Sequence, residues 1–323
     1  MQSLKSINYL FLVVFLFSFS KKLNAQTSLE GGDLAVVGVN ANNFACSGQN
    51  GEDIISIVCF KDITAGTTID LTDNGWERLN ANQFGDSEGT IRASYSGGTI
   101  PAGQVITFVA NNSGSYSVVT HADWTFTNLN NPPGLFTSLN LNANGDQLFF
   151  MQGGIWDWGN PASGTHDATY NGKILFGFNT KPNWDIFAND SNDSGLHPDV
   201  IPCFHMEPSN GQSDYQKYTG SMTAVTQVEW IKLISDASNW TSYPTCAAYN
   251  SAAPDYTGLV NFPIAISEMS IDCTVCTGTC NTINETLVFN LPTVNGPFTV
   301  VYTDGANQFT LTNITNGHTE IVS

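Results

Sequence analysis

The chain has 323 residues, with 10 Lys plus Arg against 28 Asp plus Glu and a formal net charge of −18. A surface of that sign repels phosphate backbones and anionic lipid, which excludes nucleic acid as an expected partner. Charged residues make up only 12% of the chain, so its polarity rests on Asn, Thr, Ser and Gly, which build turns and β surfaces and make poor helices.

Lys5 precedes an unbroken apolar run, Tyr9 to Phe19, and Leu23-Asn24-Ala25 then places a small residue before Gln26. This pattern predicts a secretory signal peptide over residues 1–25. As a helix the run covers about 16 Å, half of a ~30 Å hydrocarbon core, so it is too short to span a membrane. No Cys follows it to carry a lipid, and no later stretch is apolar enough to cross, so no membrane-spanning segment is expected. Removing residues 1–25 takes away Lys5, Lys21 and Lys22 and no acid, which leaves the remainder more acidic still.

From Gly32 onward short apolar runs alternate with Gly, Asn, Asp and Pro. Leu34–Val39, Ile54–Phe60 and Thr67–Leu71 read as strands, followed by Thr90–Tyr95, Val105–Ala110, Trp124–Thr127, Gln147–Met151 and Lys173–Phe178. Turn residues such as Ser96-Gly97-Gly98, Pro101-Ala102-Gly103 and Asn144-Gly145-Asp146 separate them. Regular spacing of this kind predicts an all-β fold, a Greek-key β-sandwich as the main domain over 26–262. Residues 179–218 are polar and rich in Asp, Asn and Pro, so they read as a long functional or stapled loop. Ala224–Ile234 is the one plausible helix. A boundary falls near 261–272. Three more strands follow, Thr286–Leu291, Phe298–Thr303 and Gln308–Ile314. They predict a partial β-sandwich repeat over 270–323, too short to close a sandwich of ~100 residues, so its completion is expected beyond Ser323.

Seven Cys in an exported chain predict disulfides. Spacing suggests Cys46 with Cys59, and Cys203 with Cys246 as the staple of the long loop. Cys273, Cys276 and Cys280 form an odd cluster, read as one pair with a leftover thiol rather than as zinc, for which paired ligand spacing is missing.

Two stretches carry a family resemblance. Gly32 to Ala110 contains GDLAVVGVNANN, FKDITAGTTIDLTDNGWER and EGTIRASYSGGTIPAGQVITFVANN, and Ser238-Asn239-Trp240-Thr241 follows later. This resembles an N-terminal β module of exported Bacteroidetes and cyanobacterial proteins, to which no catalytic residue can be carried over. The segment PFTVVYTDGANQFTLTNITNGHTEIV, within Leu287 to Val322, is similar to the Ig-like repeats of Bacteroidetes surface adhesins of the gliding type. The resemblance implies type IX secretion and a secreted or cell-surface, adhesin-like module without catalytic activity. Its implied partners are glycan, extracellular matrix or a neighbouring surface protein. A structural stalk or filament component, or an accessory module of an exported hydrolase, remain the alternatives.

Asp70, Asp73, Glu77 and Glu88 could pair as acid and base, but Asp73-Asn74-Gly75 reads equally as a turn after a strand. Asp190, Asn192, Asp193 and Asp199 place oxygen ligands as the opening of a Ca²⁺ loop does, although Ile201 stands where an EF-hand has its bidentate Glu. The stretch is therefore a loose calcium loop or a solvated one. His166, Asp167, His197, Cys203, His205 and Glu207 are scattered through loops without the spacing zinc requires. No GxSxG elbow is present. Trp156 and Trp158, two apart on a strand, would share one face and, with Trp184, offer a stacking platform for a ligand, unless they serve the core.

Overall fold

The computed structural model describes residues 26–48, 52–77, 79–130, 138–159, 166–185, 193–200, 203–208, 211–224 and 226–264, together with the strands of the segment after 268. Most strands lie where the apolar runs predict: β1 Leu34–Asn40, β2 Glu52–Cys59, β3 Thr68–Thr72, β4 Thr90–Tyr95, β5 Val105–Asn111, β7 Trp124–Asn128, β8 Gln147–Gln152 and β11 Lys173–Asn179. Shorter strands join them: β6 Tyr116–Val118, β9 Trp156–Asp157, β10 Thr169–Tyr170, β12 His205–Met206, β13 Tyr215–Tyr218 and β14 Trp240–Ser242. Among the described residues three α-helices, α1 Phe44–Ser47, α2 Gln227–Ile234 and α3 Cys246–Ser251, and two 3-10 turns, Pro198–Val200 and Ala237–Asn239, complete this part.

Two six-stranded sheets form the sandwich. The first runs β14-β13-β1-β2-β5-β6 and the second β12-β11-β8-β3-β4-β7. The chain passes between them at β2 to β3, β4 to β5, β6 to β7 and β12 to β13, and every pairing is antiparallel except β11 with β12. Phe108 on β5 meets Phe150 on β8 across the interface, ring centroids 6.5 Å apart. No helix among the described residues is long and apolar enough to cross a membrane.

The central strands are buried along their whole length: β1 and β8 expose no residue. Sheets with one wet face show alternation, and continuous apolar runs mean both faces are covered. On the first sheet the cover is α2 and the segment around Tyr249, Tyr256 and Phe262. Thr226 and Glu229 form a capping box that starts α2. Val228, Trp230, Ile231 and Ile234 of that helix are buried, and each large side chain contributes about 1.5–3 kcal/mol. Gly38 admits this layer, since a Cβ there would stand 2.7 Å from the Tyr249 hydroxyl. On the second sheet the cover is a cap of loops whose rings pack edge to face: Trp76 on Phe84 at 4.9 Å and Phe84 on Phe149 at 5.6 Å.

The polar stretch 179–218 departs from its reading as a loop. Its end is β13, an internal strand paired with β1 on one side and β14 on the other, with all four residues buried. Gln216 and Lys217 disguise it, and backbone carbonyls accept from their side-chain nitrogens there. Gln216 Nε2 donates to Thr180 O at 3.0 Å, and Lys217 Nζ donates to Tyr249 O and Ala252 O at 2.9 Å each.

The disulfide pattern also corrects the spacing argument. Cys46 bonds Cys246, 200 residues away in sequence, and joins α1 to α3. Cys59 is a buried thiol on β2, and Cys203 is buried beside β12, so neither predicted pair forms. Proximity in sequence misled because Cys46 lies at one end of the sheet, where β1 ends and β2 begins, whereas Cys59 lies at the other end of β2.

In the segment after 268, β15 Met269–Asp272, β16 Asn284–Phe289 and β19 His318–Val322 make a three-stranded sheet. β17 Phe298–Thr303 and β18 Gln308–Ile314 pair as a hairpin. Residues 1–25, where a signal peptide is predicted, and the Cys273, Cys276 and Cys280 cluster lie outside the described residues.

Candidate functional site

The predicted tryptophan platform is a piece of the core. Trp156 and Trp158 do share a face, with Asp157 outward between them, but that face points inward and leaves the two rings 7% and 3% exposed. Trp156 lies tilted against Phe84, ring centroids 5.3 Å apart, and half-buried Trp184 leans on Phe149 at 5.6 Å. A period-two pattern fixes which residues share a face and not which face meets water. These rings do not present a stacking surface.

The calcium loop is met only in part, because Asp190 and Asn192 lie outside the described residues. Asp193 is engaged by Lys181, Nζ to Oδ1 2.6 Å, and Asp199 is an exposed carboxylate 3.9 Å from His197 Nδ1. Among the described residues no three His, Cys, Asp or Glu side chains stand close enough to hold a metal ion. The histidines are packed singly. His197 lies against Trp76 at 4.1 Å, burial pushes His205 down to about 4, and His166 Nδ1 faces Asp86 at 3.1 Å.

The carboxylates of β3 have separate structural tasks. Asp70 is 1% exposed and clasped by Arg92 through two bonds of 2.7 Å, with the Tyr170 hydroxyl donating at 2.9 Å. Asp73 accepts the Gly89 N–H on Oδ1 and the Asn140 N–H on Oδ2, both at 2.7 Å. Asn74 closes the same turn, its Nδ2 donating to Thr72 and Thr90 hydroxyls and its Oδ1 accepting the Glu88 N–H. Burial raises Asp73 to about 7, a value that would suit a general acid. Yet the side chain is 1% exposed and both oxygens are occupied by backbone, so no substrate atom can reach it.

A site the sequence reading missed lies at that end of the sandwich. Three acids from three strand ends converge on one loop. Asp73 takes the Asn140 N–H, Asp53 the Leu141 N–H at 2.7 Å, and Asp146 the Asn142 N–H at 2.8 Å. Consecutive amides are thus each tied to a different buried carboxylate. Burial pushes Asp53 and Asp146 well above the usual carboxylate range, and the other acids push in the same direction. No Lys, Arg or His figures among the groups acting on the three.

Above this floor is an open cavity of about 300 Å³. Asn42, Asn112, Asn140 and Asn142 line it, together with Glu52 and Asp53. The Phe44 ring, 48% exposed, forms one rim. The rim is braced from below: Asn40 Nδ2 donates to Asn43 Oδ1 at 3.0 Å, Asn43 Nδ2 donates to Glu52 Oε2 at 2.6 Å, and the Cys46–Cys246 bond anchors α1. The available signal was a cluster of Asn at three separate positions, Asn40 to Asn43, Asn111-Asn112 and Asn140 to Asn144. Each reads locally as a turn, and only the strand order brings the three to one end.

Amides offer donors and acceptors together, and an exposed ring offers an apolar face, which is the chemistry that recognises hydroxyl-rich molecules. The cavity has no reactive Ser, Cys or His in its lining. Comparison with protein-family models, characterised proteins and solved structures gives no match for this chain.

Proposed function

We propose that the chain is a non-catalytic, exported binding module of a bacterial cell surface, adhesin-like in role, and that the Asn-lined cavity is its contact with a glycan. One observation carries this reading: amide side chains from three chain segments surround an open cavity beside an exposed aromatic ring. Its size is at the lower end of small-molecule pockets, suited to one sugar unit of a longer chain. The absence of catalysis is supported by how the acids are used. Asp70 is neutralised by Arg92 and Asp73 is saturated by backbone amides. Export and surface placement rest on the signal-like residues 1–25 and the acidic, charge-poor composition. The Ig-like character of the segment after 268 and secretion by the type IX route rest on the resemblance of its sequence.

The test is a glycan array probed with the protein lacking residues 1–25, repeated with Phe44→Ala. The reading expects a defined set of glycans to bind and the variant to bind them roughly five- to tenfold more weakly, the loss of one stacking contact. Absence of binding across the array, or binding unchanged in the variant, would refute the cavity as the contact.

A further inference from the structure

We infer that removal of residues 1–25 leaves Gln26 as the first residue, and that Gln26 then closes on itself as pyroglutamate, a modification that seals the N-terminus of the folded chain. This rests on residues 1–25 being a removed export signal, with Leu23-Asn24-Ala25 as the cleavage motif. A glutamine at that position carries its carboxamide at the right reach for a five-membered ring with its own α-nitrogen, and such an intramolecular attack needs no encounter with a second molecule. The freed α-amine nitrogen attacks Cδ, a C–N bond forms, and the bond from Cδ to Nε2 breaks. The leaving nitrogen takes a proton from the amine and departs as ammonia. No oxidant, reductant or second substrate enters the balance. The product is a lactam that has lost the positive charge of the amine.

The fold leaves Gln26 free for this step and fastens the chain immediately after it. Gln26 is exposed, and its Nε2 makes one contact of 3.4 Å to Thr68 Oγ1, beyond the usual range of a hydrogen bond. Its main-chain nitrogen donates to nothing among the described residues. Neither end of the future ring is committed elsewhere. Thr27 is held at once: its N–H donates to Thr67 Oγ1 at 3.0 Å and its hydroxyl to Asp62 O at 2.7 Å. Gln152, at the end of β8, then clamps the segment. Its Oε1 accepts the Leu29 N–H at 2.6 Å, and its Nε2 donates to Thr27 O at 3.1 Å and Thr68 O at 2.8 Å. Leu29 itself is fully buried in the core. Chain ends are where trimming begins, and an aminopeptidase that removed a linear Gln26 would meet this anchor at its next cut. The lactam offers it no free amine.

The experiment expresses the whole chain, residues 1–25 included, in a bacterium that exports it, and reads the first proteolytic peptide by mass spectrometry after incubation of the purified protein with a glutaminyl cyclase. The inference expects a peptide that starts at Gln26, is lighter than its linear form by one ammonia, and has no amine open to labelling. Gln26→Asn, whose shorter side chain would need a four-membered ring, should keep its full mass and its amine. Under a broad aminopeptidase the cyclised chain should hold its thermal midpoint, while the Gln26→Asn chain is trimmed through Thr27 and its midpoint falls. A peptide that starts at Gln26 yet keeps its amine after the cyclase would overturn the ring and leave the export reading standing. Equal resistance of the two chains would overturn the sealing role. A first residue other than Gln26, or a chain that retains residues 1–25, would overturn the inference together with the signal reading on which it rests.

Discussion

Asp70 and Asp53 are buried to the same degree, and the contrast between them separates scaffold from site. Asp70, in the middle of β3, meets Arg92 in a two-bond clasp and a Tyr170 hydroxyl, so its charge and both oxygens are satisfied from within. Asp53, at the start of β2, has one backbone amide and only acids for electrostatic neighbours. Lys217 is the mirror case, a buried cation held by two carbonyls at the end of α3 and by the Tyr249 ring at 4.3 Å. Burying charge is tolerable when partners are built in. Where they are left out, burial and neighbouring acids push the group towards its neutral form, as they do Asp53.

The largest effect should come from breaking the satisfied clasp. Arg92→Met leaves Asp70 buried without its cation and should cost about 3 kcal/mol, read as a lower urea midpoint. Glycan binding in the variant that remains folded should be unchanged, because Arg92 does not line the cavity. Next is the bond that holds the rim. Cys46→Ser with Cys246→Ser opens a cross-link over 200 residues and should cost about 2–4 kcal/mol, and weaken ligand binding through the loosened α1.

Acid titration gives a smaller and signed effect. Asp73 is raised from its ordinary value to about 7 in the folded protein by burial. Below about 4 both folded and unfolded chains hold the proton, and no stability difference arises. As pH rises from there towards 7, the unfolded chain releases the proton and the folded chain keeps it, so stability falls across that window. Above 7 the penalty is complete. Thermal midpoints of Asp73→Asn should therefore be lower overall, since one amide loses its acceptor, and should vary less with pH between these limits than those of the parent chain. The smallest change in stability belongs to Phe44→Ala, within about 0.5 kcal/mol because the ring is half exposed. That variant separates binding from folding.

The contrast also marks how far the sequence could be read. Runs such as LAVVGV and QLFFM announce strands and, lacking alternation, announce cover on both faces, but they do not say what supplies it. Tyr215 to Tyr218 was hidden because Gln216 and Lys217 find carbonyls only in the assembled fold. Trp156 and Trp158 gave the right periodicity and the wrong face. The Cys46–Cys246 pair spans nearly the whole main domain, beyond any argument from spacing. The site was least legible of all. Its floor joins the ends of β2, β3 and β8 to one loop, and its walls are Asn residues that, taken alone, are ordinary turn formers.

The most direct test of this division is an amide-resolved NMR titration with a glycan that binds on the array. The account predicts shifts at Asn42 to Phe44, Glu52, Asp53 and Asn140 to Ala143, while Asp70, Arg92, Trp156 and Trp184 stay still. Shifts centred on the tryptophans, or on the Arg92 clasp, would contradict it.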